Sequence, residues 1–291
     1  MDLSVIIVNY KTRALTLKTL ASVFAAKKPL GKFEVILVDN HSQDGTPKLV
    51  RKKFPLVKVV VTEKNLGFAG GNNLGLRYAK GRYQLLLNSD TLLQKDTLVK
   101  MVNFMDQHPK VGLSTCKVIL KSGKIDPASH RGFPTPWAAF TYYFGLEKLF
   151  PRSRFFSQYH QGWKDLSVTH EIDSPVGAFF FLKREALNQA GLLDEAFFMY
   201  GEDLDLAFRI KQAGWQIVFT PITKITHLKG ASGLAAPAKK QRLVTNKNFF
   251  EAMKIFYRKH YNKRYIFPLR WLIFLGIYLV EKVKHLKIVL S

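Results

Sequence analysis

Val35-Ile36-Leu37-Val38-Asp39-Asn40 runs four apolar residues straight into a carboxylate and an amide. A run this short, apolar on both alternating faces, has the pattern of a strand covered on both sides in a parallel sheet. Val5 to Val8, Val57 to Val61 and Tyr83 to Leu87 repeat it. Between the first two runs Leu17, Leu20 and Phe24 recur at helical spacing, and a further helix is expected from Ala69 to Ala79. Strand, helix, strand, helix is the rhythm of an α/β fold with helices on both faces of its sheet. Ligands of such sheets bind beyond the carboxyl ends of the strands. The polar residues after each strand therefore carry the functional question.

Farther along, Gly177 to Leu182 reads as a strand and Leu204 to Gln212 as a helix stopped by Gly214. Two short strands, Gln216 to Thr220 and Lys224 to His227, close the domain. The stretch from Lys121 to Asp173 is less regular. Pro127, Pro134, Pro136 and Pro151 are interspersed with Trp137, Tyr142, Tyr143 and Trp163. It reads either as loops and short helices packed on the sheet or as the lining of a sugar acceptor groove.

The chain has 291 residues, 47% of them hydrophobic, which excludes a disordered protein. Its 45 Lys and Arg against 21 Asp and Glu give a net charge of +24. That excess calls for an anionic partner: nucleic acid, an anionic membrane or a phosphorylated substrate. The lone Cys116 excludes an internal disulfide and a multi-cysteine zinc site, and reads as a small buried residue in a reducing compartment. Met1-Asp2 leads directly into the first strand, not into an export signal, so a cytoplasmic protein is expected.

Residues 1–235 form the expected catalytic domain and 236–291 a basic helical tail. From Lys239 onward there are 13 Lys and Arg against Glu251 and Glu281, a net of +11. Phe249, Phe250, Met253, Phe256 and Tyr257 share one helical face. Ile266 to Val280 is apolar but shorter than the roughly 20 residues that span a bilayer. With Lys and Arg on both flanks it reads as a helix in the interface of an anionic membrane, or as one packed on the domain or a second subunit.

Four acidic or imidazole sites follow strands. Asp39, with Asn40, can accept from a pyrimidine N3 or a ribose hydroxyl, or can cap a turn. Asp90, in Asn88-Ser89-Asp90, can hold a divalent cation bridging two phosphates. Asn65-Leu66-Gly67-Phe68-Ala69-Gly70-Gly71-Asn72-Asn73-Leu74-Gly75 supplies amides and glycines that let backbone approach a ligand. Gly201-Glu202-Asp203-Leu204-Asp205 concentrates carboxylates at a helix start, where one can act as general base. His227 follows the last strand, as a metal ligand or as a structural residue.

In this order the motifs resemble family 2 glycosyltransferases of the GT-A fold, a Rossmann-like, mixed but mainly parallel sheet flanked by helices. The match looks nearest to bacterial rhamnosyltransferase-like members and runs from Ser4 to about Ser232. The resemblance implies inverting transfer of a sugar, rhamnose among the candidates, from a dTDP- or UDP-linked donor. The acceptor would be a hydroxyl of a glycan or polyprenyl-diphosphate-linked chain in cell-surface polysaccharide synthesis. By the same resemblance Asp203 is the base, Glu202 positions the acceptor, and Asp90 with His227 holds Mg2+ or Mn2+. Asn9, Tyr10, Asp39, Asn40, Asn65, Gly67, Asn72 and Ser89 surround the donor. Asn88 stands where the family's DxD motif begins with Asp, and the Gln-x-x-Arg-Trp motif of processive synthases is absent. The expected setting is peripheral, on the inner face of the cell membrane, with oligomers open. A nucleic-acid-binding protein would not explain the acidic strand ends, which repel phosphates. A catalytically dead membrane scaffold would not need Asp90 and Asp203.

Overall fold

A computed structural model describes residues 1–29, 31–228 and 239–290. In chain order its elements are β1 (Leu3–Asn9), α1 (Arg13–Ala25), β2 (Phe33–Asp39), α2 (Thr46–Lys53), β3 (Val57–Val61), α3 (Gly67–Tyr78), β4 (Tyr83–Asn88), β5 (Thr91–Leu93), α4 (Thr97–Gln107) and β6 (Val111–Leu120). A short 3-10 turn (Pro127–Ser129) leads to α5 (Pro136–Tyr143), α6 (Leu146–Leu149), β7 (His170–Glu171), β8 (Phe179–Lys183), α7 (Arg184–Ala190), α8 (Glu202–Gln212), β9 (Gln216–His227), α9 (Lys239–His260) and α10 (Phe267–Leu290).

The strands form one mixed sheet in the order β3-β2-β1-β4-β8-β6-β9-β5, with β7 beside β9. The first four run parallel, as their apolar runs imply. Successive side chains of a strand point to opposite faces. Val5 and Ile7 accordingly join one core with Leu20, Leu98 and Met101, while Ile6 joins the other with Leu76, Leu206 and Ile210. Cys116 lies in the first core, completely buried. β3 departs from the fully buried pattern: it is the edge strand, so Lys58 and Val61 face solvent.

Two central elements escape the sequence reading, α4 and β6. β6 carries Ser114 and Thr115 in its interior. Both are buried, and Thr115 Oγ1 donates to the Phe179 carbonyl at 3.0 Å. The two short closing strands are one strand, β9, broken by an irregularity. Between Phe219 and Lys224 it advances five residues while β6 advances two, from Thr115 to Lys117.

Two glycines of α3, Gly71 and Gly75, serve packing. A Cβ on Gly75 would lie 2.4 Å from Ile6 Cγ2, and one on Gly71 2.8 Å from Val8 Cγ1. Glycine there lets the helix lie directly on β1.

The expected boundary at 235/236, and the Lys229 to Ser232 end of the resemblance, lie outside the described residues. Beyond it, Phe256 and Tyr257 of α9 bury against Phe197 and Phe208. The apolar stretch falls almost wholly within α10, a helix of 24 residues whose C-terminal part carries Glu281, Lys282, Lys284 and Lys287, and α10 packs along α9. No described helix is long and apolar enough to cross a membrane.

Candidate active site

Parallel register sets Asn9 beside Asp39 at the carboxyl ends of β1 and β2. Asn9 Nδ2 donates to Asp39 Oδ1 at 2.7 Å and to Ser42 Oγ at 2.8 Å. Its Oδ1 accepts from the hydroxyls of Thr16 (2.7 Å) and Thr12 (2.9 Å). Asn9 is fully buried, so it stands behind Asp39 and orients it. The Ser42 N–H donates to Asp39 Oδ2 at 3.2 Å, and lone pairs on both carboxylate oxygens remain for a ligand. Tyr10 is 42% exposed at the rim.

Asn40 is spent on the neighbouring turn. Its Nδ2 donates to Asn65 Oδ1 and to the Gly67 carbonyl, each at 2.9 Å, and its Oδ1 accepts from Leu66 N–H. The turn needs Gly67, whose φ is +73° and whose Cβ would lie 2.4 Å from the Phe198 carbonyl oxygen. Asn72 donates to the Phe68 carbonyl within α3. The sequence reading did not single out Asn73 from the segment. That side chain exchanges bonds with the Leu193 backbone in both directions and donates to Glu195 Oε1 at 2.9 Å. It ties the donor-side helix to the 193–195 loop.

Ser89 Oγ shares a 2.9 Å hydrogen bond with Thr12 Oγ1, locking the turn after β4 to the start of α1. Antiparallel pairing of β5 with β9 sets Thr91 opposite His227. His227 Nε2 consequently lies 3.2 Å from Asp90 Oδ1. On its other side Nδ1 lies 3.8 Å from Asp126 Oδ2, beyond hydrogen-bonding distance. Burial works against a charged imidazole here, but Asp126 and Asp90 outweigh it and hold His227 up at about 9. Asp126 was not anticipated, since nothing marks it in the loop sequence. Two ligands on one small cation, with bonds of about 2.1 Å at right angles, sit about 3 Å apart. Asp90 and His227 fit that span. Among the described residues no cluster of three or more His, Cys, Asp or Glu forms a complete metal shell.

The carboxylates Glu202, Asp203 and Asp205 start α8 after Gly201, whose φ of +82° permits the sharp entry. Asp203 Oδ2 accepts from buried Arg131 Nη2 and from Gly177 N–H at 3.3 Å, while Oδ1 accepts from Leu204 N–H. Arg131 also donates to the Pro175 carbonyl at 3.2 Å and to Tyr159 Oη at 3.3 Å. Burial opposes its charge, yet Asp203 and Tyr159 hold it firmly protonated. Arg131 is the third residue the sequence did not mark. Glu202 is buried, its Oε2 has no hydrogen-bond partner, and burial followed by the Asp203 charge pushes its carboxyl up to about 8. Gly177 joins the two halves of the site. Its N–H reaches Asp203, and the next carbonyl, of Ala178, accepts from Asn88 N–H at 3.1 Å.

The sequence profile of glycosyl transferase family 2 matches residues 4–189, a span holding the Asn9–Asp39 pair and the Ser89–Asp90 turn. The chain belongs to glycosyl transferase family 2. This family 2 transferase is 27% identical over 252 residues to an N-acetylglucosaminyl-diphospho-decaprenol L-rhamnosyltransferase of Mycobacterium tuberculosis, covering 81% of this chain and 79% of that one. It is 26% identical to the O-antigen biosynthesis protein RfbC of Myxococcus xanthus, over 78% of this chain but 17% of that one. Among solved structures it resembles residues 1–349 of S. aureus TarS bound to UDP-GlcNAc, with a TM-score of 0.63 at 20% identity, covering 90% of this chain and 67% of that one. A Pyrobaculum calidifontis mannosyltransferase bound to GDP-Man and Mn2+ gives 0.60 at 20% identity, covering 88% of this chain and 64% of that one. These likenesses give this family 2 transferase a GT-A-like fold.

Proposed function

We propose that this chain transfers a sugar, with inversion, from a dTDP- or UDP-linked donor to a hydroxyl of a glycan or polyprenyl-diphosphate-linked acceptor in cell-surface polysaccharide synthesis. The likeness to a rhamnosyltransferase acting on a diphospho-decaprenol glycan supports rhamnose and a lipid-linked acceptor. The observation that carries the reading is the bridge through Gly177 and Ala178, which holds Asp203 within one short segment of the Asn88-Ser89-Asp90 turn. A base for the acceptor and a cation site for the leaving group thereby share one edge of the sheet.

Asp39 accepts from the base or ribose, and Asn9 holds it in place. Asp90 and His227 would hold a divalent cation. An imidazole among the ligands suits Mn2+ better than Mg2+. A cation held there would supply the charge that neutralises a departing diphosphate. Asp203 takes the acceptor proton as the hydroxyl attacks the far face of the anomeric carbon. Arg131 Nη2 and the Gly177 N–H already donate to its Oδ2 and the Leu204 N–H to its Oδ1, so the acceptor hydroxyl must share a carboxylate oxygen with one of them. One observation favours Glu202 as base instead: its Oε2 has no hydrogen-bond partner, and burial pushes its carboxyl up.

The setting we propose is peripheral, on the inner face of the membrane. Leu272, Leu279, Val283, Leu286 and Leu290 of α10 are each more than half exposed. They fall every 3.6 residues along the face turned away from the body, a straight stripe suited to a flat interface. The test is a thermal-shift panel of UDP, dTDP, GDP and ADP with Mn2+, Mg2+ or chelator. One pyrimidine diphosphate should stabilise the fold only with metal; indifference of the folded protein to all four would overturn the reading.

A further inference from the structure

We infer that the α5–α6 region forms a second membrane-contact surface, an aromatic patch that sits on an anionic bilayer beside the acceptor end of the site. Trp137, Phe140, Phe144, Phe150, Phe155 and Phe156 form one connected group of rings. Centroids are 4.5 Å apart for Phe140–Phe144, 5.5 Å for Trp137–Phe140, 4.8 Å for Trp137–Phe155, 5.0 Å for Phe155–Phe156 and 5.1 Å for Phe150–Phe156. The group faces outward: Phe144 is 71% exposed and Phe155 58%. A packed core would bury these rings, and an acceptor groove would enclose them. A contiguous exposed apolar patch on a globular protein marks a contact surface.

Charge selects the occupant. From Pro136 to Lys164 the one acid is Glu147, which is buried and bonded by Ser157 and His160. The exposed charges around the rings are Lys148, Arg152 and Arg154. Aromatic rings rimmed by cations match the headgroup region of an anionic leaflet. A second copy of the chain would set those cations against their own kind on a molecule of net +24.

Position completes the argument. Lys284 of α10 lies 5.2 Å over the Tyr143 ring, and Tyr143 Oη contacts Met253 Sδ of α9 at 3.6 Å, so the patch adjoins the tail. In the other direction Tyr142 packs 5.6 Å from Tyr159, which accepts from Arg131, the partner of Asp203. The patch thus connects the bilayer to the carboxylates that receive the acceptor. This inference rests on the reading that the protein works at a membrane.

Cys116 is completely buried, so a Phe144→Cys variant can carry an environment-sensitive dye at that site alone. The full chain is mixed with vesicles of equimolar phosphatidylglycerol and phosphatidylcholine, or of phosphatidylcholine only. We expect co-sedimentation with the anionic vesicles and dye emission shifted to shorter wavelength. A Phe144→Ser, Phe155→Ser variant with unchanged circular dichroism should partition about tenfold more weakly. Wild-type binding with no dye shift and no loss in the double variant would overturn the patch but leave a contact through α10 standing. Failure of the wild type to bind anionic vesicles would overturn both. A dye shift that follows protein concentration without lipid, with dimers in sedimentation velocity, would assign the patch to a second copy.

Discussion

Asp205, completely buried in α8, accepts a 2.7 Å hydrogen bond from His260 Nε2 at the end of α9. Lys259 Nζ lies 2.8 Å from the same oxygen, and Arg209 forks onto the other at 2.8 Å. The helix that begins with the candidate catalytic pair is thereby fastened to the C-terminal helices.

Asp205→Asn should cost about 3–5 kcal/mol in a denaturant melt, because it removes the buried carboxylate on which His260, Lys259 and Arg209 converge. Burial alone would raise this carboxyl, but His260, Lys259 and Arg209 hold it down at about 2. Its contribution is therefore complete above the unfolded range near 4 and is lost as pH falls towards 2. The stability gap between wild type and variant should narrow across that window.

Glu202 runs the opposite way. Its folded value of about 8 lies above the unfolded one, so the native state retains a proton that the unfolded chain releases. The stability it contributes at low pH declines as pH rises from about 4 to 8. Glu202→Gln should abolish the decline. The melting temperature of the variant relative to wild type, without nucleotide, should climb over that interval.

Asp203→Asn should remove transfer and leave nucleotide binding in place, but it also strands the Arg131 charge in the interior. Melts of Asp203→Asn, Arg131→Met and the double variant should reveal a coupling of about 3 kcal/mol, with the double variant more stable than the two losses summed. A coupling near zero would mean the ion pair is dispensable to the fold.

Asp90→Asn and His227→Ala should each eliminate the metal-dependent part of the nucleotide thermal shift. Asn88→Asp, which adds a carboxylate at the turn, should lower the Mn2+ needed for half-maximal shift by about tenfold. Titration of Mn2+ at fixed nucleotide reads both effects.

The parallel half of the sheet was legible because β1, β2 and β4 are covered on both faces and so carry unbroken apolar runs, Val5 to Val8, Val35 to Val38 and Leu85 to Leu87. β6 was not, since its buried Ser114 and Thr115 satisfy their hydroxyls with the Met105 sulfur and the Phe179 carbonyl. Local pattern carries no trace of partners so distant in sequence. The same holds in the candidate site. Asp39, Asp90 and Asp203 follow recognisable strand ends or helix starts. Arg131, Asp126 and Asn73 acquire their positions from tertiary packing, and nothing adjacent to them in the chain announces it. Asn9 and Asn40 stand out in the sequence as candidate site residues; that they brace Asp39 and the Asn65–Gly67 turn emerges only from their hydrogen bonds.

The irregularity in β9 sets the parity of everything after it. Strand residues alternate between the two sides of a sheet, and between Phe219 and Lys224 this strand gains an odd number of residues on its neighbour. His227 comes after that gain, so whether its imidazole meets Asp90 or turns to the opposite layer is decided by a count made several residues upstream. Removing Ile222 alone would shift the phase by one and swing the imidazole away, without altering a single residue of the site. Length in this stretch, more than its composition, is what the pairing of His227 with Asp90 depends on.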